Sequence, residues 1–112
     1  MKADHVGGRD KGDEMEIRIH TSVPIDRNFE EYIKEKFDRL EKFIFDEGTA
    51  ELHIKKEGPF YVSEISIYSK HHSMFIKEQD NDLNKSVEIL FDRAKRQVRK
   101  MHDRIIDRPK RQ

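Results

Sequence analysis

Cysteine and tryptophan are absent, and only three prolines and five glycines punctuate the chain. Without cysteine there is no disulfide framework, no thiolate nucleophile and no cysteine-based metal centre. No apolar run approaches the roughly 20 residues needed to cross a bilayer, and the N-terminal stretch lacks the apolar segment of a secretory signal. Also missing are a phosphate-cradling glycine loop, a nucleophile elbow and a carboxylate pair that stands out from the general acidic background. These absences argue against an enzyme, a small-molecule substrate, a cofactor and a membrane partner, and the expectation is a soluble, monomeric cytoplasmic protein. No internal repeat is visible in the 112 residues, a length suited to one domain with one modest core.

What the chain does have is charge. Charged residues make up 41% and hydrophobic residues 34%, a balance that leans toward disorder. The apolar residues nevertheless fall in ordered periods, so a folded domain with a very wet surface is expected. The formal net charge is zero, with 23 basic and 23 acidic residues, but the distribution is uneven. From Arg93 to Gln112 nine basic residues face two acidic ones, a local net charge of +7. Charge concentrated in one segment matters more for partners than the total does.

Residues 1–13 hold three glycines among charged residues without periodicity, the pattern of a mobile leader or an expression remnant. Met15 to His20 alternates as a half-buried strand, with Ile17 and Ile19 on one face. Asp26 can cap a helix, and Phe29, Ile33, Phe37, Leu40 and Ile44 then recur at steps of three and four over about 18 residues. Gly48 and its neighbours are expected to close that helix. Three strands follow: 49–56 with Ala50, Leu52 and Ile54 in phase, 60–69 with Ile65 and Ile67, and 73–79 with Met74 and Ile76. Gly58-Pro59 and Lys70-His71-His72 supply hairpin turns. After the capping run Asp80-Asn81-Asp82, the residues Leu83, Val87, Leu90, Ala94, Val98, Met101 and Ile105 mark a long second helix that Pro109 stops. The expected fold is α+β, in the order β-α-β-β-β-α, with a four-stranded sheet covered on one face by two helices. It occupies residues 14–107 as one domain, and 108–112 form a short basic tail.

With Ala94 set at zero and about 100° per residue, Lys95, Arg99, Arg96 and Lys100 fall near 100°, 140°, 200° and 240°, away from the core. Asp92 and Asp103 bound this basic block. On the first helix Tyr32, Lys36, Arg39 and Phe43 share one flank of the apolar stripe, mixing aromatic rings with cations. Cationic side chains on rigid helices suit phosphate recognition, and structured RNA is read largely through such contacts. A solvated helix face laced with intrahelical ion pairs would carry the same composition.

The wording of both helices separates these readings. Tyr32-Ile33-Lys34-Glu35-Lys36-Phe37-Asp38-Arg39-Leu40-Glu41-Lys42-Phe43 closely resembles the first helix of the hibernation promoting factor and ribosome-associated inhibitor A family. Asp92-Arg93-Ala94-Lys95-Arg96-Gln97-Val98-Arg99-Lys100 resembles its second helix, where a run of the type D-K-L-E-R-Q-L-R-K is usual. The resemblance spans roughly residues 15–104, and the element order matches. It implies binding to ribosomal RNA in the decoding region of the small ribosomal subunit, where the protein would occupy the space of messenger and transfer RNA and inhibit translation. The implied RNA contacts are Lys36, Arg39 and Lys42 on the first helix and Arg93, Arg96, Arg99 and Lys100 on the second. Lys95 stands where many members have Glu and enlarges the basic block, whereas Asn84 stands where many have Tyr. With little chain beyond the second helix, the resemblance is to the short form of the family.

Other signals are weaker. His71-His72 with His53 lacks a further metal ligand at a recognisable spacing, so no metal is expected. Tyr68 and Phe75 should face the outer side of the sheet and, with His53, could stack bases, but no basic-Gly-aromatic signature accompanies them and cross-strand packing explains them equally. A general double-stranded-RNA-binding module is the competing class. Such a module calls for lysines at the start of its second helix, where this chain reads Asp82-Leu83-Asn84-Lys85.

Overall fold

Alternation along the strands has a physical destination in the computed structural model, which describes residues 15–42, 48–69 and 73–107. The elements run β1 (Met15–Thr21), α1 (Arg27–Glu41), β2 (Gly48–Glu57), β3 (Phe60–Ser69), β4 (Ser73–Asp80) and α2 (Leu83–Asp107). One four-stranded sheet in the order β1-β2-β3-β4 results. β1 pairs with β2 in parallel, Met15 opposite Gly48 and Thr21 opposite Ile54, so α1 is the crossover between them. The β2–β3 and β3–β4 pairs are antiparallel. The α+β class and the element order expected from the sequence are therefore observed. Residues 1–13, Phe43, Ile44, the turn at 70–72 and the basic tail 108–112 lie outside the described residues.

Both helices cover one sheet face. Ala50, Leu52 and Ile54 of β2, Ile65 and Ile67 of β3, and Met74 and Ile76 of β4 meet Ile33, Phe37 and Leu40 of α1 and Val87, Leu90, Phe91, Ala94 and Val98 of α2 in one core. Each large aliphatic or aromatic side chain buried there contributes about 1.5–3 kcal/mol. Phe37 and Phe91 meet edge to face at 5.0 Å and join the two helices. One polar contact interrupts this layer: the Ser63 and Ser86 hydroxyls are fully buried and hydrogen-bonded to each other at 2.7 Å.

Local chemistry sets the boundaries. Asp26 Oδ1 accepts from the Phe29 amide at 2.8 Å and starts α1, and Asp82 Oδ1 accepts from the Lys85 amide at 3.2 Å at the head of α2. Gly58 has φ 60°, and with Pro59 it forms the two-residue loop between Glu57 and Phe60, the Gly-first pattern of a type II′ hairpin. Gly48 corrects the sequence reading. It does not close α1, which ends with Lys42 as its C-cap. It lies inside β2 opposite Ser69, and a Cβ there would collide with the Tyr68 carbonyl oxygen and the Ser69 Cβ. The glycine serves close strand approach rather than helix termination.

Candidate nucleic-acid interface

The two faces of α2 divide cleanly. Val87, Leu90, Ala94 and Val98 are buried, and on the opposite arc Lys95, Arg96, Arg99 and Lys100 are all exposed. Among the described residues no ion pair engages Lys95, Arg96 or Lys100. Arg93 differs from its neighbours. Its guanidinium pairs with the Glu78 carboxylate of β4 and donates to the Lys77 carbonyl oxygen at 3.3 Å, which ties α2 to the edge of the sheet.

On α1 two members of the mixed flank, Tyr32 and Lys36, meet, and Phe43 lies outside the described residues. Phe29 and Tyr32 stack at 5.7 Å, and the Lys36 ammonium lies 5.4 Å from the centre of the Tyr32 ring, a cation–π arrangement. Arg39 and Lys42 are exposed at the C-terminal end of the helix, where positive charge complements the helix dipole. Burial raises the Tyr32 phenol above its ordinary value, Glu88 and Asp92 of α2 add to the effect, and Arg39 opposes it. The Tyr32 flank of α1 thus faces Glu88 and Asp92 of α2. Each helix runs back against the strand before it, and β1 and β4 both run parallel to β2, so the helices point in the same general sense. Arg39 lies seven residues beyond Tyr32, and Arg99 seven beyond Asp92, each roughly 10 Å further along its helix. The sequence-derived cations Lys36, Arg39 and Lys42 thus lie toward the C-terminal side of α1, and Lys95, Arg96, Arg99 and Lys100 lie beyond Asp92 on α2.

The open face of the sheet is charged in another way. Arg18 pairs with Glu16 at 3.0 Å and with Glu51 at 3.4 Å, Lys55 with Glu57 at 3.1 Å, and Lys77 with Glu64 at 3.9 Å. A hydrogen bond from His53 holds the Glu51 carboxyl below its usual range, with further help from the charges of His20, His53 and Arg18. Tyr68 and Phe75 are 56% and 58% exposed, on the outer face as their alternation implied. His53 finds neighbours there that the sequence reading did not assign to it, namely His20 and Glu51. The Glu51-x-His53 spacing was visible in the sequence, but the approach of His20 depends on the β1–β2 register. His71 and His72 lie outside the described residues.

A four-stranded sheet with one solvated face, covered on the other by two helices that expose cations, defines an α+β module with a basic patch on its helical side. Residues 15–106 match the family described as sigma 54 modulation protein / S30EA ribosomal protein, and the chain belongs to this family of ribosome-associated modulation proteins. The fold is similar to that of the Protein Y N-terminal domain from Thermus thermophilus, with a TM-score of 0.66 at 22% identity over 78% of this chain and 97% of that one. It is also similar to a ribosomal subunit interface protein from Coxiella burnetii, with a TM-score of 0.63 at 13% identity over 78% and 94% of the two chains. No curated protein sequence matches the chain.

Proposed function

We propose that the protein is a translation inhibitor of the hibernation type, which docks on the small ribosomal subunit and occupies the decoding region through contacts to ribosomal RNA. The observation that carries this reading is the exposed cationic stretch in the middle of α2, where Lys95, Arg96 and Lys100 have no carboxylate partner among the described residues. Phosphate oxygens are the natural partners of such groups. Membership of a ribosome-associated family supports the ribosome as the source of those phosphates, and the reading is of a cytoplasmic protein that acts as a monomer. Among the described residues no helix is long and apolar enough to cross a membrane. The role is one of occupancy, with Lys36, Arg39, Lys42, Arg93, Lys95, Arg96, Arg99 and Lys100 as the RNA-contacting set and no chemical step.

The test is sedimentation with small subunits at two salt concentrations, followed by in vitro translation. Each phosphate neutralised steepens the log-log salt slope by about 0.7 to 0.9, so binding should weaken sharply as salt rises. Translation should fall when the protein meets vacant ribosomes and fall less when initiation complexes are already assembled. Salt-independent binding would remove the electrostatic basis, and equal inhibition in both translation assays would remove the decoding region as the site.

A further inference from the structure

Three side chains that the cationic helices do not use meet at the β1–β2 border of the open sheet face. His20 and His53 stand directly opposite each other in the parallel register, and their rings stack with centroids 4.4 Å apart and an interplanar angle of 15°. Glu51 lies two residues before His53, on the same face of β2. Its Oε1 is 3.1 Å from His53 Nε2 and 4.0 Å from His20 Nε2. The candidate donor atoms of the three residues all lie within 4.8 Å of one another.

Those separations suit one small cation. Donors at the tetrahedral bond lengths of about 2.0–2.2 Å stand roughly 3.4 Å apart, within the span seen here. Two imidazoles and one carboxylate are a donor set for zinc and its late-transition neighbours, whereas magnesium and calcium take oxygen ligands. The carboxylate is also oriented from behind: Glu51 Oε2 receives Arg18 Nη1 at 3.4 Å, leaving Oε1 turned toward the imidazoles. Carboxylate ligands held by an outer partner in this way are a recurring feature of metal centres. Both histidine side chains are about half exposed, so the stacked rings have room to splay and direct their nitrogens at one ion.

The geometry points to a divalent transition-metal site formed by His20, Glu51 and His53, with zinc as the best-matched ion and water completing its coordination. The ion would clamp the edge strand β1 to β2, and by mass action it would stabilise the folded state as its concentration exceeds the dissociation constant. The site lies on the sheet face, not on the helical face assigned to RNA, so it stands or falls independently of the proposed ribosome docking.

Titration of zinc chloride into metal-free full-length protein tests this, read by calorimetry and by the imidazole nitrogen signals in NMR. The expected result is one equivalent bound, with the His20 and His53 signals shifting together and the thermal midpoint rising. Magnesium chloride should do neither. Even outer partners of metal ligands are worth about 10- to 100-fold in affinity, so His53→Ala and Glu51→Gln should each weaken zinc binding by roughly 10-fold or more. His71→Ala/His72→Ala should leave it unchanged. The assignment is overturned if the His20 and His53 signals of the native protein do not move with zinc. It is equally overturned if zinc binds His20→Ala/His53→Ala as tightly as the native protein. Because the wild-type NMR titration needs no substitution, a variant that failed to fold would leave a decisive measurement.

Discussion

The helical face and the open sheet face are both crowded with charge, yet they use it in opposite ways. On the sheet, cations and carboxylates close on each other within and between strands: Arg18 on Glu16 and Glu51, Lys55 on Glu57, Lys77 on Glu64. Exposed pairs of this kind contribute only about 0–1 kcal/mol each to stability, but they leave little net charge for a partner. On α2 the cations at 95, 96 and 100 have no such partner among the described residues, and their charge stays open to solvent. A formal net charge of zero thus conceals one self-neutralised surface and one that attracts anions. The arrangement of charge, more than its amount, distinguishes a binding face from a merely soluble one.

The largest expected effect breaks the cationic face. Reversing charge in Arg96→Glu/Arg99→Glu/Lys100→Glu removes contacts worth about 1.5–3 kcal/mol each, so small-subunit binding in a pelleting assay should fall by at least about 1,000-fold. The three side chains are exposed, and surface changes usually stay within about 0.5 kcal/mol, so circular dichroism should show a folded protein. Retained binding would place the interface elsewhere. Next in size is a substitution at the seam between sheet and helices. Ser63→Ala leaves the buried Ser86 hydroxyl without its 2.7 Å partner, at a cost of about 1–2 kcal/mol. Thermal unfolding should report this as a midpoint lower by several degrees, with ribosome binding unchanged where the protein is folded.

A smaller effect sharpens the contrast between paired and unpaired cations. Glu78→Gln should release the Arg93 guanidinium from β4 and tighten RNA binding by up to about 10-fold, the equivalent of one modest charge-assisted contact. Weaker binding would show that Arg93 is needed where Glu78 holds it. The smallest change is expected on the sheet. Tyr68→Ser/Phe75→Ser should leave ribosome binding within about twofold and cost at most about 1 kcal/mol of stability from lost cross-strand packing. If that variant lost binding while the charge-reversed one kept it, the sheet would be the RNA-reading surface.

The sheet's interior was legible because a strand with one buried face must alternate. Ala50, Leu52 and Ile54 all turn inward, as do Ile65, Ile67, Met74 and Ile76. Helix starts were equally plain, since Asp26 and Asp82 supply the side-chain acceptors that the first helical amides require. Phe91 was harder to place. It lies four residues after Val87 and three before Ala94, beside the stripe read through Leu90, and it is buried because α2 contacts both the sheet and Phe37 of α1, which widens its apolar arc. Ser63 and Ser86 look like solvent residues until they are seen to satisfy each other. Gly48 was misread because glycine after a helix usually ends it, whereas here the neighbouring β3 backbone requires it. Among the proposed RNA-contacting residues, the exposed arc on α2 was legible from helical geometry alone. The engagement of Arg93 by Glu78 and the meeting of His20 with His53 depend on contacts between distant parts of the chain, which local patterns do not encode.

The parallel pairing of β1 also bears on how the molecule assembles and opens. β2, β3 and β4 are joined by short connections and can pair as soon as each hairpin closes. β1 meets β2 only after α1 has crossed over, with Ile17 opposite Ala50 across more than thirty residues of chain. Contacts so remote in sequence carry a loop-closure cost that delays them. Ile17 and Ile19 are also only partly buried, so less apolar area holds β1 than holds the central strands. β1 is therefore expected to be added late in folding and released early, and its amide protons should exchange with solvent ahead of those of β3, the strand flanked on both sides.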